Sequence, residues 1–336
     1  GVGWEDASGA SDIDGLSDAL VENNSIWLGN DPSGTTDTAS YNVALGTTAL
    51  DAITTGDDNT AVGYNALTAN TSGEDNVGIG IGALEANTTG QDNVAVGSGA
   101  LATNTTANES TAVGHRCLLV STGEKNTAVG ALAMDANTTG VRNAAIGVDC
   151  LTANTTGSYN VAMMGLASNT TASNNVAIGY AALNANTTGA SNVAIGTAAL
   201  DAATTAGSNI AIGHNALTTV ITGASNVAIG GSALQDSTGS YNVGVGYVAL
   251  QTNSTGISNV AIGASALTAN TTASNNIAIG HNTLLANSTG GNNIAVGYAL
   301  AANTTADNNT AVGFNTLVAN TTGEKNVAFG QGTGVS

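Results

Sequence analysis

Basic residues are almost missing from this 336-residue chain: four Lys and Arg face 23 Asp and Glu, a net charge of −19. Such a surface repels polyphosphate, which argues against nucleic acid as a partner. Aromatic residues make up 3% and charged residues 8% of the chain, where a globular domain is about one quarter charged. An ordinary enzyme core is therefore disfavoured. No run approaches 18 uninterrupted apolar residues, so no membrane span is expected. With one Pro and 45 Gly the chain could pass for disordered, yet 42% of it is hydrophobic, far too much for a disordered segment. Regular packing of small side chains must order it.

What is there is a repeat. Asn-Val-Ala-Ile-Gly and its variants recur every 17 residues, with occasional steps of 16 and one of 15, and Met164 replaces the closing Gly once. Ser25-Ile26-Trp27-Leu28-Gly29 fits the same frame, giving about nineteen units over residues 25–336, after an N-terminal segment of residues 1–24. A fixed short period signals a solenoid. The expected fold is all-β: a parallel β-roll or β-solenoid of 17-residue coils stacked at about 4.8 Å, about 90 Å in all. Val193, Ala194 and Ile195 read as a strand, Leu200 as the second wall of the core, and Asn186-Thr187-Thr188-Gly189 as the reversing turn.

The middle strand position is Ala in sixteen of eighteen units and Gly in the others, Gly78 and Gly244. A column restricted to the smallest side chains is packed. With Val and Ile taken as the inside of the roll, the Ala column is expected to meet another chain, in an intertwined or side-by-side homotrimer.

Asn precedes the strand in seventeen of eighteen units, for example Asn42, Asn59, Asn175, Asn226 and Asn326. Stacked amides can bond coil to coil as a structural ladder. Calcium is the rival ligand, but the units lack the paired Asp positions of calcium-binding rolls. The position after Gly carries rings in eight units: Tyr64, His115, Tyr180, His214, Tyr247, His281, Tyr298 and Phe314. One reading is packing at a corner of the roll or against a neighbouring chain. The other is a recognition stripe on which the sugars of a cell-surface glycan stack. The three His are four or more coils apart, so a metal could be held only by copies of one His on a trimer axis. Cys117 and Cys150 share a column two coils apart, about 9.5 Å and beyond disulfide reach. No nucleophile with a base, no metal set and no cofactor loop stands out; Gly78-Ile79-Gly80-Ile81-Gly82 belongs to the repeat. Asp57, Asp58, Glu74, Asp75 and Asp92 read as a solvated edge.

Ile13, Leu16, Leu20 and Val21 are spaced for one helical face, so the first segment is expected to be a short stem helix or an irregular cap. Gln331–Ser336 stops mid-coil, as expected of a chain that continues or of an end covered by another subunit.

Ser208-Asn209-Ile210-Ala211-Ile212-Gly213 resembles the repeat of trimeric autotransporter adhesin heads, although the period here is longer. The run from Asp14 to Pro32, followed by arrays such as Asn59-Thr60-Ala61-Val62-Gly63-Tyr64-Asn65-Ala66-Leu67, more closely resembles tail-fibre proteins of tailed bacteriophages, notably marine ones. That resemblance implies a non-enzymatic, homotrimeric virion fibre. It would contact other tail proteins and space or present recognition of a host-cell glycan or protein. It carries over no catalytic residue. A bacterial adhesin head and a self-assembling extracellular filament are the alternatives. An ice-binding solenoid is a fourth, opposed by the adjacent Thr pairs, whose side chains would point apart on a strand.

Overall fold

A computed structural model describes residues 19–29 and 38–334, with no side-chain description for 19–22. No helix occurs among the described residues. The chain divides into two compact units, residues 1–160 and 161–336. Each is a parallel β-solenoid with one short strand per coil.

In the first unit, β1 (Ala19–Glu22) turns back through Asn23 and Asn24 and pairs antiparallel with β2 (Ser25–Leu28). From β2 the parallel ladder runs through β3 (Val43–Leu45) to β9 (Ala144–Ile146), one strand per coil and in register. The expected stem helix is not found where it can be checked. Leu20 and Val21 belong to β1, while Ile13 and Leu16 lie outside the described residues. Four side chains at helical spacing carry little weight against a hairpin that closes the first strand's free edge. The second unit stacks eleven strands in the same way, from β10 (Val161–Met163) to β20 (Val327–Phe329).

Strands supply only three residues per coil, so the corners must satisfy their own backbone groups. They do so by bonding to the neighbouring coil. In the coil after Asn192, the Val193 amide donates to Asn209 O (2.8 Å), Leu200 to Ala216 O (3.0 Å) and Ala198 to Tyr180 O (2.9 Å). The sharp corners need left-handed backbone: Ala198, Leu200 and Ser208 have φ of 53°, 55° and 60°. Such conformations cost about 1–2 kcal/mol for a residue with a Cβ, and burial of Leu200 offsets that cost. Gly196 is required outright. Its φ is 130°, and a Cβ there would lie 2.7 Å from Gly213 O on the next coil.

The inside of the roll is the reverse of the expected one. Ala44, Ala61, Ala95, Ala194 and Ala211 are fully or almost fully buried within a single chain, together with the Leu50 and Leu200 column. The Val and Ile on either side of each Ala point outward. The contact of the Ala column with a second chain is therefore corrected: Ala fills its own coil. The lumen is too narrow for more, since a Cβ added at Gly78 would already sit 3.2 Å from Leu67 Cγ. At β2 the column opens with a larger plug, Trp27, which stands in register with Ala44 and is fully buried.

Candidate functional site

The inner wall carries amides. Asn59 donates from its backbone N–H (2.9 Å) and its Nδ2 (3.1 Å) to Asn42 Oδ1, and from Nδ2 to Gly73 O (2.9 Å). In the second unit Asn192 donates in the same way to Asn175 Oδ1 (2.9 and 3.2 Å), Asn226 to Asn209 Oδ1, and Asn326 to Asn309 Oδ1. The Asn42, Asn175, Asn209 and Asn309 oxygens thus each take two N–H donors, so they are occupied by protein. Ser110 interrupts this column, and its hydroxyl accepts the Asn126 N–H at 3.3 Å.

A second amide ladder was not read from the sequence. It lies in the Asn-Thr-Thr-Gly segments, where Asn87 Nδ2 donates to Asn70 Oδ1 (3.1 Å) and Gly90 O (3.0 Å), and Asn104 Nδ2 to Asn87 Oδ1 (3.1 Å). These Asn are fully buried. The signal was the recurrence of Asn at one fixed place in the period, masked by a composition that also fits an exposed turn.

The outer wall carries the rings. Of the column after Gly, Tyr64, Tyr180, Tyr247 and Phe314 are 55%, 71%, 67% and 57% exposed, so they do not pack inside the roll. His115, His214 and His281 are also exposed, and His281 Nδ1–H donates to Ala264 O (3.2 Å). Tyr298 is half-buried beside Phe314, with ring centroids 5.9 Å apart and planes 37° apart. A second ring column, also missed, sits at the left-handed corner just before the first Asn: Tyr41, Tyr159 and Tyr241, all exposed. Arg142 lies over the Tyr159 ring at 5.7 Å, and its Nη1 donates to Tyr159 Oη (2.9 Å). The outward Val and Ile columns therefore run between two columns that hold rings.

Titratable groups do not converge. Among the described residues no three of His, Cys, Asp and Glu come together to hold a metal, and no helix is long and apolar enough to cross a membrane. Asp58, Glu74, Asp75 and Asp92 are exposed and Asp57 is half-buried. Cys117 and Cys150 are buried thiols. Burial pushes the Cys117 thiol up to about 12, and its Sγ–H donates to Ala128 O (3.3 Å), which makes it a packing group and a poor nucleophile. Burial also raises the Asp201 carboxyl above its ordinary value.

The fold and these walls define a repeat β-solenoid, sealed inside by amides and presenting rings outside. A comparison with protein-family models gives no match, and a comparison with curated proteins gives none either.

Proposed function

We propose that the chain is a non-enzymatic structural fibre subunit of a phage virion. In this reading it forms a homotrimer that joins other tail proteins and presents recognition of a host-cell surface glycan or protein. The observation that carries the reading is the division of labour within each coil. The inward Asn columns are bonded coil to coil over most of their length, while the ring column faces solvent at a fixed place in the repeat. A closed wall with most of its amides paired suits a load-bearing spacer, and exposed rings at regular intervals suit stacking on sugar faces.

Two experiments test it. Mass spectrometry of particles produced by the genome that encodes the chain should find it among the tail proteins. Its absence from particles, or its presence on the bacterial surface, would replace the virion reading by the adhesin or filament one. On an array of bacterial surface polysaccharides, a Tyr180→Ala, Tyr247→Ala, Tyr298→Ala variant should lose binding at unchanged folded content. Binding equal to the parent chain would move recognition elsewhere.

A further inference from the structure

The outward strand positions form a surface that no described residue of the chain covers completely. Ile210, Ile229, Ile262 and Ile279 are 37–41% exposed, whereas the alanines between them are fully buried. From β2 to β20 neither outward column holds a charged residue, in a chain of net charge −19. The few polar members are Thr, at Thr60, Thr111, Thr127 and Thr310. Scattered apolar residues are ordinary on a protein surface, but a continuous apolar stripe marks an interface.

We infer that the Val and Ile columns are the face by which copies of this chain associate. Two arguments select a second copy as the occupant. The first is area. Each of the eleven strands of the second unit turns two side chains of these columns outward, a run of surface on the order of the ~800 Å² per partner of a standard interface. The second is period. The knobs repeat at the coil spacing, in register from strand to strand, and another stripe of the same spacing matches them along its whole length. A partner without that repeat would drift out of step within a few coils. The exposed acids beside the stripe, such as Asp75 and Asp92, oppose close approach at low ionic strength, so added salt should strengthen association. The inference deepens the homotrimer of the proposed function by moving its contact from the Ala column to the opposite face. It stands or falls apart from any virion role.

The test is sedimentation velocity of the full chain at low micromolar concentration, together with an Ile195→Thr, Ile212→Thr, Ile229→Thr variant. Ile195, Ile212 and Ile229 are partly exposed, and Thr310 shows that the coils accept Thr in the other outward column. The parent chain should sediment as a multimer, and the variant should associate at least about tenfold more weakly with an unchanged circular dichroism spectrum. An Ala194→Leu variant, altered inside the coil, should lose stability while its folded fraction associates like the parent. A monomeric parent chain, or an Ile→Thr variant that assembles as tightly as the parent, overturns the inference. Particle mass spectrometry decides the virion reading whichever result is obtained.

Discussion

The second amide ladder is complete in one region and broken in another. Around Asn87, inside the first unit, Asn70, Asn87 and Asn104 are linked without a gap. In the second unit Ala203 and Val220 take the corresponding places between Asn186 and Ser237. The Asn186 Oδ1 facing that gap is buried without a hydrogen-bond partner. Backbone pairing nonetheless spans the gap, from Thr187 N–H to Thr204 O at 2.9 Å and from Thr204 N–H to Ile221 O at 3.3 Å. Apolar filling therefore preserves the coil and leaves an orphaned amide oxygen as its cost.

Removing an amide from the complete region should cost the most. Asn87→Ala deprives Asn70 Oδ1 of its donor and removes the bonds to Gly90 O and from Asn104. At about 1–3 kcal/mol for an orphaned buried group, a loss of about 3 kcal/mol is expected in urea unfolding, with faster amide exchange in the adjoining coils. An unchanged midpoint would show that the ladder is passive.

Ala194→Leu comes next, at about 1–3 kcal/mol, because a larger side chain overpacks a lumen already filled by Leu. The loss should appear in the melting temperature at any protein concentration. A loss seen only where the parent chain assembles would return the Ala column to an interface.

Alkaline pH gives a graded effect, still smaller than these one unit above pH 9, at about 1.4 kcal/mol. The Cys117 thiol is pushed from 9.0 to about 12 in the folded chain, so the folded state holds its proton where the unfolded state releases it. Its stabilising contribution is full below pH 9 and falls as pH rises towards 12, by up to about 1.4 kcal/mol per pH unit. Cys117→Ala, which restores the residue found elsewhere in that column, should remove this component from the unfolding profile. An identical profile for the variant would assign the pH dependence to other groups.

The smallest effect tests the comparison directly. Ala203→Asn gives Asn186 Oδ1 a donor but leaves its own oxygen facing Val220, so it should be close to neutral. Ala203→Asn with Val220→Asn closes the gap to Ser237 and should stabilise by about 1 kcal/mol. Additive single effects would mean that the amides act as isolated bonds.

Much of this was legible in the sequence because a solenoid repeats its evidence. The strand triplet, the closing Gly and the Leu wall follow from period alone, as does the Asn42, Asn59 and Asn175 column. The inside of the roll did not follow. Alternation along Val193-Ala194-Ile195 shows that two faces differ, but it carries no sign, and side-chain size alone favours the larger residues as core. The lumen chose the smaller. Asn70 and Asn87 were hidden for another reason, since a side chain that turns inward to bond the next coil looks in sequence like an exposed turn residue. Leu20 and Val21 were misread because spacing over so short a stretch cannot weigh a partner strand.

Asn87-Thr88-Thr89 and its counterparts are also acceptor sequences for N-linked glycan. In the finished coil the buried members such as Asn87 are sealed, the amide nitrogen already engaged with neighbouring oxygens, whereas Asn320 is only half-buried. A cell that attaches sugars to nascent secreted chains would reach these nitrogens before the coils close, and a glycosylated Asn87 could not enter the lumen. Production through a eukaryotic secretory route should therefore yield misfolded, sugar-bearing chains, whereas a bacterial cytosol without that machinery should yield closed coils.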